Sequence, residues 1–424
     1  MSLVWAILFF LVSFESCFGQ MHTLYVKTES VLKKVHLAMT SDAHLRPELN
    51  AHIKERLEFY FQHAGVCQIA DQPQEATFQL NISWDQSSIH ASYERWGKKT
   101  EIRQPITMAG NDHLNGLAEF ADAVIESLFN TQGIFSDQIL FVHKDPNRFS
   151  SELFTLRFDG APPVQITSDG HFKLTPLFIP GCSDQILYVS YAYGIPKLFS
   201  YDLVQRKQTP LIPLRGSQIL PAISYRGDCL SFISDAAGTI DLFVQKISSC
   251  LQCQGKPIQL LSNKEAVHAS SAFHPYQSKL AFVSDREKKP KVYSLELMQA
   301  LRRERSASTP LVTPPEWEAT NPAFSPDGTK LAYCALIDHV RQIAILDLET
   351  NSHQILTEGP HHKENPSWAA NSLHLAYNTT GDENELYMIN LIQRKPVKIT
   401  SGPGIKHYPC WERTKKGKIR NSNG

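Results

Sequence analysis

Residues 321–333 read Asn-Pro-Ala-Phe-Ser-Pro-Asp-Gly-Thr-Lys-Leu-Ala-Tyr. Ser325-Pro326-Asp327-Gly328 is a tight-turn sequence, because proline pre-sets φ and glycine is free to take a positive one. The turn joins a strand ending at Phe324 to a second, antiparallel strand through Leu331-Ala332-Tyr333. A proline at the start of the first strand is tolerated where that strand has a free edge, since the missing N–H then breaks no ladder bond. Phe324, two positions after the proline, falls on the face that must be covered by a neighbour.

Five more copies of the first strand can be laid on this one: Thr175-Pro176-Leu177-Phe178, Leu220-Pro221-Ala222-Ile223, Ser270-Ser271-Ala272-Phe273, Asn365-Pro366-Ser367-Trp368 and Tyr408-Pro409-Cys410-Trp411. Their anchors at 176, 221, 271, 322, 366 and 409 are 45, 50, 51, 44 and 43 residues apart, the period of a four-stranded propeller blade. A second strand follows in register (Leu280-Ala-Phe282, Leu375-Ala-Tyr377, Leu230-Ser-Phe232). A third comes next, then a fourth ending in Leu-Thr or Ile-Thr. One blade cannot cover both of its faces, so the blades must stack radially, which also removes exposed sheet edges. Burying each large residue two places after the anchor contributes on the order of 2 kcal/mol.

The ends complete the ring. Tyr408 to Glu412 is a first strand with no partners after it. Ile139–Val142, Glu152–Leu156 and Pro163–Thr167 match strands two to four with no first strand before them. Together they make one blade, so the expected fold is an all-β six-bladed β-propeller over 138–414, closed by N- and C-terminal strands. Between strands three and four of the third blade, Leu295 to Arg305 reads as a short helical insertion, most simply a solvated connector. Lys415-Lys416-Gly417-Lys418 begins a basic tail, 415–424, read as solvated.

Residues 20–137 are of another kind, an N-terminal α+β domain. Pro47 to Ala64 carries a helical stripe (Leu49, Ile53, Leu57, Tyr60, Phe61), with Pro47 near its start and Gly65 as its stop. Strands are expected at 66–70, 76–84, 89–96 and 100–108, and a second helix from Asp112 to Phe129. A hinge to the propeller is expected near Gly133–Asp137.

Composition narrows the function classes. The chain has 424 residues, 42% hydrophobic and 20% charged, too apolar for a disordered protein. Lys+Arg and Asp+Glu are 42 each, which argues against a nucleic-acid binder relying on a bulk basic field. The apolar run from Leu3 to Val12 is too short to span a bilayer. It fits the core of a secretory signal, with Cys17-Phe18-Gly19 placing small residues for cleavage before Gln20; Cys17 as a lipidated residue is the rival reading. Residues 1–19 are thus read as a signal peptide. Seven cysteines remain, an odd and scattered set that is no disulfide framework. Within it, Cys250-Leu-Gln-Cys253 leaves open a local disulfide, free thiols or, with too few ligands nearby, a zinc site.

An export signal, a small α+β domain and then a propeller of P-x-[FW]-S-P-D-G repeats resembles the TolB family, periplasmic proteins of the Tol–Pal system of Gram-negative bacteria. Ala121 to Val142, a helix leading through Gly133 into the first blade strand, is similar to that family's domain junction. The resemblance implies a non-enzymatic, monomeric protein without cofactors. It would bind a Pal-like lipoprotein at the propeller mouth and a TolA-like inner-membrane protein through the N-terminal region, meeting membranes only through these partners. It would support outer-membrane integrity and constriction in cell division.

The matching contact surface is the set of loops entering the innermost strands: His171, Ser217 to Leu220, His268 with Ala269, Trp317 between Glu316 and Glu318, His361 with His362, and His407 after Lys406. Four of the six loops bring a histidine to one rim. Histidine titrates near neutrality and ligates Zn²⁺ or Mn²⁺, so a metal or pH-responsive site, a partner-contacting rim and plain loop polarity all remain open. Trp317 is the expected anchor, since exposed aromatics are enriched at binding hot spots. The alternative function is a secreted metal-dependent propeller lyase or lactone hydrolase using the rim histidines. A propeller-fronted serine peptidase is excluded by the lack of a G-x-S-x-G elbow and of room for its hydrolase domain.

Overall fold

A computed structural model describes residues 32–42, 45–106, 112–261, 266–302 and 309–412. The expected signal peptide, residues 20–31 of the N-terminal domain and the basic tail lie outside them.

The N-terminal region is a five-stranded sheet backed by two helices. Its elements are β1 (Lys33–Ser41), α1 (Pro47–His63), β2 (Cys67–Ile69), β3 (Phe78–Trp84), β4 (Ser88–Arg95), β5 (Lys98–Pro105) and α2 (Asp112–Phe129). The sheet order is β2-β1-β3-β4-β5, with β1 parallel to both β2 and β3. The interior strand β1, between β2 and β3, was not among the expected ones. α1 starts on Pro47 without a side-chain cap and buries Ile53, Leu57, Tyr60 and Phe61, the stripe its sequence shows.

The rest is the six-bladed ring, with blades numbered here by their anchors. Blade 1 holds Lys173–Ile179, Cys182–Ser190, Lys197–Asp202 and Lys207–Pro210; blades 2, 4 and 5 repeat the four-stranded plan from Ile219, Ala319 and His362. Among the described residues blade 3 has three strands. Its fourth is reduced to a bridge between Tyr293 and Leu311, and the insertion is a one-turn helix at Leu297–Leu301. Blade 6 closes the circle: Ile405–Trp411 pairs antiparallel with Ile139–Lys144, placing Trp411 opposite Ile139.

The Ile-Thr or Leu-Thr ending of the fourth strand has a mechanical role. Thr167 accepts from the Leu153 amide at 3.0 Å and donates to Glu152, and Glu152 pairs with buried Lys173 of blade 1 at 2.9 Å. Thr400, Glu385 and Lys406 repeat this unit between blades 5 and 6, with the ion pair at 3.1 Å. Each unit ties the third strand of one blade to the first strand of the next.

The N-terminal region sits on the face of the ring opposite the loops entering the innermost strands, beneath blades 5 and 6. Tyr60 donates to Asp159 at 2.7 Å, and His374 Nε2 lies 2.9 Å from the His63 carbonyl. Gly65 takes a φ of +71°, and a Cβ there would run into Asn390 and His374. One apolar core joins Tyr60, Phe61 and Phe135 to Ile139, Met388 and Trp411 of the propeller. The segment expected to act as a hinge is held instead. Ile134 and Phe135 are buried, and the Asp122 carboxylate accepts from the amides of Phe135 and Ser136 at 2.8 and 3.1 Å.

The cysteine reading needs correction. Cys250 is bonded to Cys182 and not to Cys253, across 68 residues and between blades 2 and 1. The two sites sit far apart in sequence and meet because the ring places neighbouring blade edges side by side. Cys253 is exposed and free.

Candidate functional site

The innermost strands carry a device the repeat did not reveal. In five of the six, the residue before proline has a left-handed backbone: Thr175 (φ 44°), Leu220 (51°), Asn321 (53°), Asn365 (56°) and Tyr408 (54°). Each coincides with a slip in pairing to the second strand, which makes it a β-bulge. A bulge re-aims a side chain and bends the strand, and proline beside it needs no ladder partner. These bulges and prolines line the axial channel, a cavity of about 160 Å³.

The bulged residues meet around the axis. Asn321 Nδ2 donates to Asn365 Oδ1 at 2.9 Å, and Asn365 Nδ2 donates to Asn378 Oδ1 at 2.8 Å. The Tyr408 amide donates to the same Asn378 oxygen at 3.3 Å. Thr175 Oγ1 and Asn378 Nδ2 are buried beside the channel with no hydrogen-bond partner among the described residues. At the far end Tyr225 reaches from blade 2 to blade 4 and donates to the Phe324 carbonyl at 2.7 Å. The channel is therefore narrowed at the N-terminal-domain face. At the mouth it is ringed by the loops that enter the innermost strands and those that join strands two and three.

None of the nine residues expected at this mouth is fully exposed. His171, Ser217, Leu220, Ala269, His361, His362 and His407 are half-buried, and His268 and Trp317 are buried. Trp317 is the clearest correction. It is 8% exposed and packs in the core between blades 3 and 4, with Tyr333 and His353 rings 6.4 and 6.2 Å away. The flanking carboxylates point out while the indole points in, so it cannot serve as an exposed anchor. His268 occupies the blade 2–3 position equivalent to Lys173 and Lys406. Neither of its ring nitrogens has a partner among the described residues, and burial pushes its pKa below the usual imidazole value. His362 Nδ1 lies 3.0 Å from the Arg341 amide, which fixes that loop to its neighbour. The histidines are thus spread around the ring rather than gathered at one point, and only His362 has its ring held by a neighbouring loop among the described residues. Among the described residues no three His, Cys, Asp or Glu side chains are grouped to hold a metal ion.

What the mouth does display comes from the other loops. Phe149 (102% exposed), Tyr193 (62%), Tyr191, Ile195, Ile240 and Val267 are exposed apolar side chains. All lie on mouth loops from blades 6, 1 and 2 and at the start of blade 3. Opposite them, the loops of blades 4 and 5 expose Glu316, Asp338, Glu358 and Asp382. The rim is an apolar, aromatic arc facing an acidic one. The signal was present in Tyr191-Ala-Tyr-Gly-Ile195, whose apolar residues sit between two strand patterns where a solvated loop would be polar.

Known proteins agree with this architecture. The family model for the TolB beta propeller domain matches residues 125–321. A TolB homologue of Chlamydia pneumoniae is 35% identical over 297 residues, covering 69% of this chain and 68% of the relative. One from Protochlamydia amoebophila is 41% identical over 254 residues, which is 58% of this chain and 54% of that relative; the chain thus matches about half the length of the latter. The crystal structure of TolB from Acinetobacter baumannii superposes with a TM-score of 0.70 over 89% of this chain and 96% of that one. At 18% identity it bears on the fold. With an α+β region beneath a closed six-bladed ring and these relatives in sequence, the chain belongs to the TolB family.

Proposed function

We propose that this chain is a non-catalytic docking protein of the Tol–Pal system in the periplasm. It receives a Pal-like lipoprotein at the propeller mouth and engages a TolA-like inner-membrane protein through its N-terminal segment, supporting outer-membrane integrity and constriction in cell division. The observation that carries the reading is the mouth itself, where an exposed aromatic arc surrounds a channel too small for a folded domain. Exposed aromatic clusters mark protein-binding surfaces. Thr175 and Asn378 offer polar groups that an inserted backbone, or water, would satisfy. The half-buried rim residues His171, Ser217, Leu220, Ala269, His361, His362 and His407 would frame the contact rather than anchor it. The anchors are Phe149 and Tyr193. A disulfide fits an oxidising compartment. No helix among the described residues is long and apolar enough to cross a membrane, so in this reading membranes are reached through partners.

The test is calorimetric titration of the purified full chain with the soluble domain of a Pal-like lipoprotein from the same organism. Binding in the micromolar range or tighter is expected, weakened roughly tenfold or more by Phe149→Ala with Tyr193→Ala. No heat of binding at micromolar concentrations sinks the reading. Unchanged affinity in the double variant moves the contact off the aromatic arc.

A further inference from the structure

A cleft of about 840 Å³ opens between α2 and blades 6 and 1, on the face away from the mouth. Its floor is apolar, with Leu140, Phe178 and Ile186. Five carboxylates line it: Glu119, Asp122, Glu126, Asp137 and Glu412. Three of these come from one face of α2, at spacings of three and four residues. Asp122 is committed to the Phe135 and Ser136 amides. Glu119 and Glu126 are exposed, with Glu119 accepting from Gln104 Nε2 at 2.9 Å and Glu126 from the Gly133 amide at 3.4 Å. Among the described residues no Lys or Arg lines the cleft.

The chain leaves blade 6 at this place. The Glu412 amide donates to the Gln138 carbonyl at 2.9 Å and its carboxylate accepts from the Gln138 amide at 3.2 Å, so Glu412 is pinned on the cleft wall. The residues that follow are Arg413-Thr-Lys415-Lys416-Gly-Lys418-Ile-Arg420. They carry five cationic side chains, no anionic one, and a single large apolar residue, Ile419. Eight extended residues reach roughly 26 Å, enough to cross the cleft from its edge.

We propose that residues 413–420 dock in this cleft, setting their cationic side chains against its carboxylates and Ile419 toward its apolar floor. The solvated tail read from composition alone is then a tethered ligand of its own chain. A tether of this length holds the segment at a high effective concentration, on the order of millimolar, so individually weak ion pairs suffice. The cleft and the mouth are on opposite faces, and occupancy of one leaves the other open. A cationic segment of any other protein reaching α2 would compete with residues 413–420 for the same carboxylates.

The experiment is limited trypsin digestion of the full chain at low salt, with cleavage after Arg413, Lys415, Lys416, Lys418 and Arg420 followed by intact mass. An unstructured basic peptide in the same tube serves as internal standard. Docking predicts slow cleavage of the tail. Glu119→Lys with Glu126→Lys accelerates it at least tenfold relative to the standard. Adding Lys415→Glu and Lys416→Glu to that variant restores protection at Arg420. Equal rates in the parent and the Glu119/Glu126 variant overturn the proposal, as does failure of the charge swap to restore protection. Both substituted glutamates are exposed. Should the variant still fail to fold, the parent chain moved from low to molar salt must show the same relative acceleration, and no acceleration refutes docking.

Discussion

Reducing or deleting the Cys182–Cys250 bond measures how strongly the ring depends on a link between two of its blades. The bond closes a loop of 68 residues. In the chain-entropy account, cross-linking such a loop removes roughly 15 cal/mol/K from the unfolded ensemble, or about 4.4 kcal/mol at room temperature. Cys182 packs in a cluster with Ile179, Ile247 and Leu251, so its replacement also loses a small apolar contact. Measured effects usually fall below the entropic figure, and Cys182→Ala with Cys250→Ala is expected to lower unfolding free energy by about 2–4 kcal/mol. Urea unfolding with and without reductant is the assay. Reductant should shift the midpoint of the parent protein and leave the double variant unmoved. Cys253→Ala, at an exposed thiol, should stay within about 0.5 kcal/mol of the parent. A non-reduced digest yielding a Cys250–Cys253 peptide refutes the pairing. A parent midpoint that stays put while its thiols are shown to be reduced refutes the energetic argument.

Two further outcomes follow from buried groups at the domain contact. Trp411 is fully buried against Phe158 and His374, with ring centroids 5.8 and 6.5 Å away, and its indole N–H has no partner among the described residues. Trp411→Ala should therefore cost about 3–5 kcal/mol. Trp411→Phe, which keeps a ring and removes an unpaired donor, should cost far less; equal losses in denaturant melts would contradict the packing. Burial lowers the His374 pKa to about 4, opposed by the His63 carbonyl. Above pH 6.5 the residue is neutral in both folded and unfolded chains. As pH falls from 6.5 toward 4 the unfolded chain binds a proton that native His374 refuses, so stability drops by about 3 kcal/mol. His374→Gln should flatten that acid slope, and a slope unaffected by the substitution assigns it elsewhere.

The ring was legible because its repeat couples two independent signals, a turn sequence and a buried residue two places after proline, at a steady spacing. The closure was legible because the two chain ends lacked complementary strands. The mouth was not. Trp317 stood between two carboxylates, a pattern that reads as exposed, yet at the edge of a blade alternation alone sends the indole inward and both carboxylates outward. The apolar arc lies, Val267 apart, on loops between strands two and three, which contribute nothing to the repeat. Strand β1 has the alternation Val35, Leu37, Met39 of a half-buried strand, but with only Val35 fully buried its pattern is faint. The bulges leave a partial trace. Asn321 and Asn365 are residue types that tolerate a left-handed backbone, whereas Thr175, Leu220 and Tyr408 do not advertise it.

Those bulges bear on how the mouth would bind. A left-handed residue other than glycine or asparagine costs roughly 1–2 kcal/mol, so Thr175, Leu220 and Tyr408 together cost an appreciable part of the net stability of an ordinary domain. Such a cost persists only where the surroundings over-determine the geometry, and here they do so in sequence around the axis. Asn321 is tied to Asn365, Asn365 to Asn378, and Asn378 to the Tyr408 amide, while the Thr-capped ion pairs hold the first strands of blades 1 and 6 to the preceding blade. A wall built this way is shaped before any partner arrives, so little ordering cost remains to be met on binding. Affinity at the mouth should then be set by the loops that are not locked into the wall, Phe149 and Tyr193 foremost, and substitutions at the asparagine arc should register as lost stability of the ring before they register as lost binding.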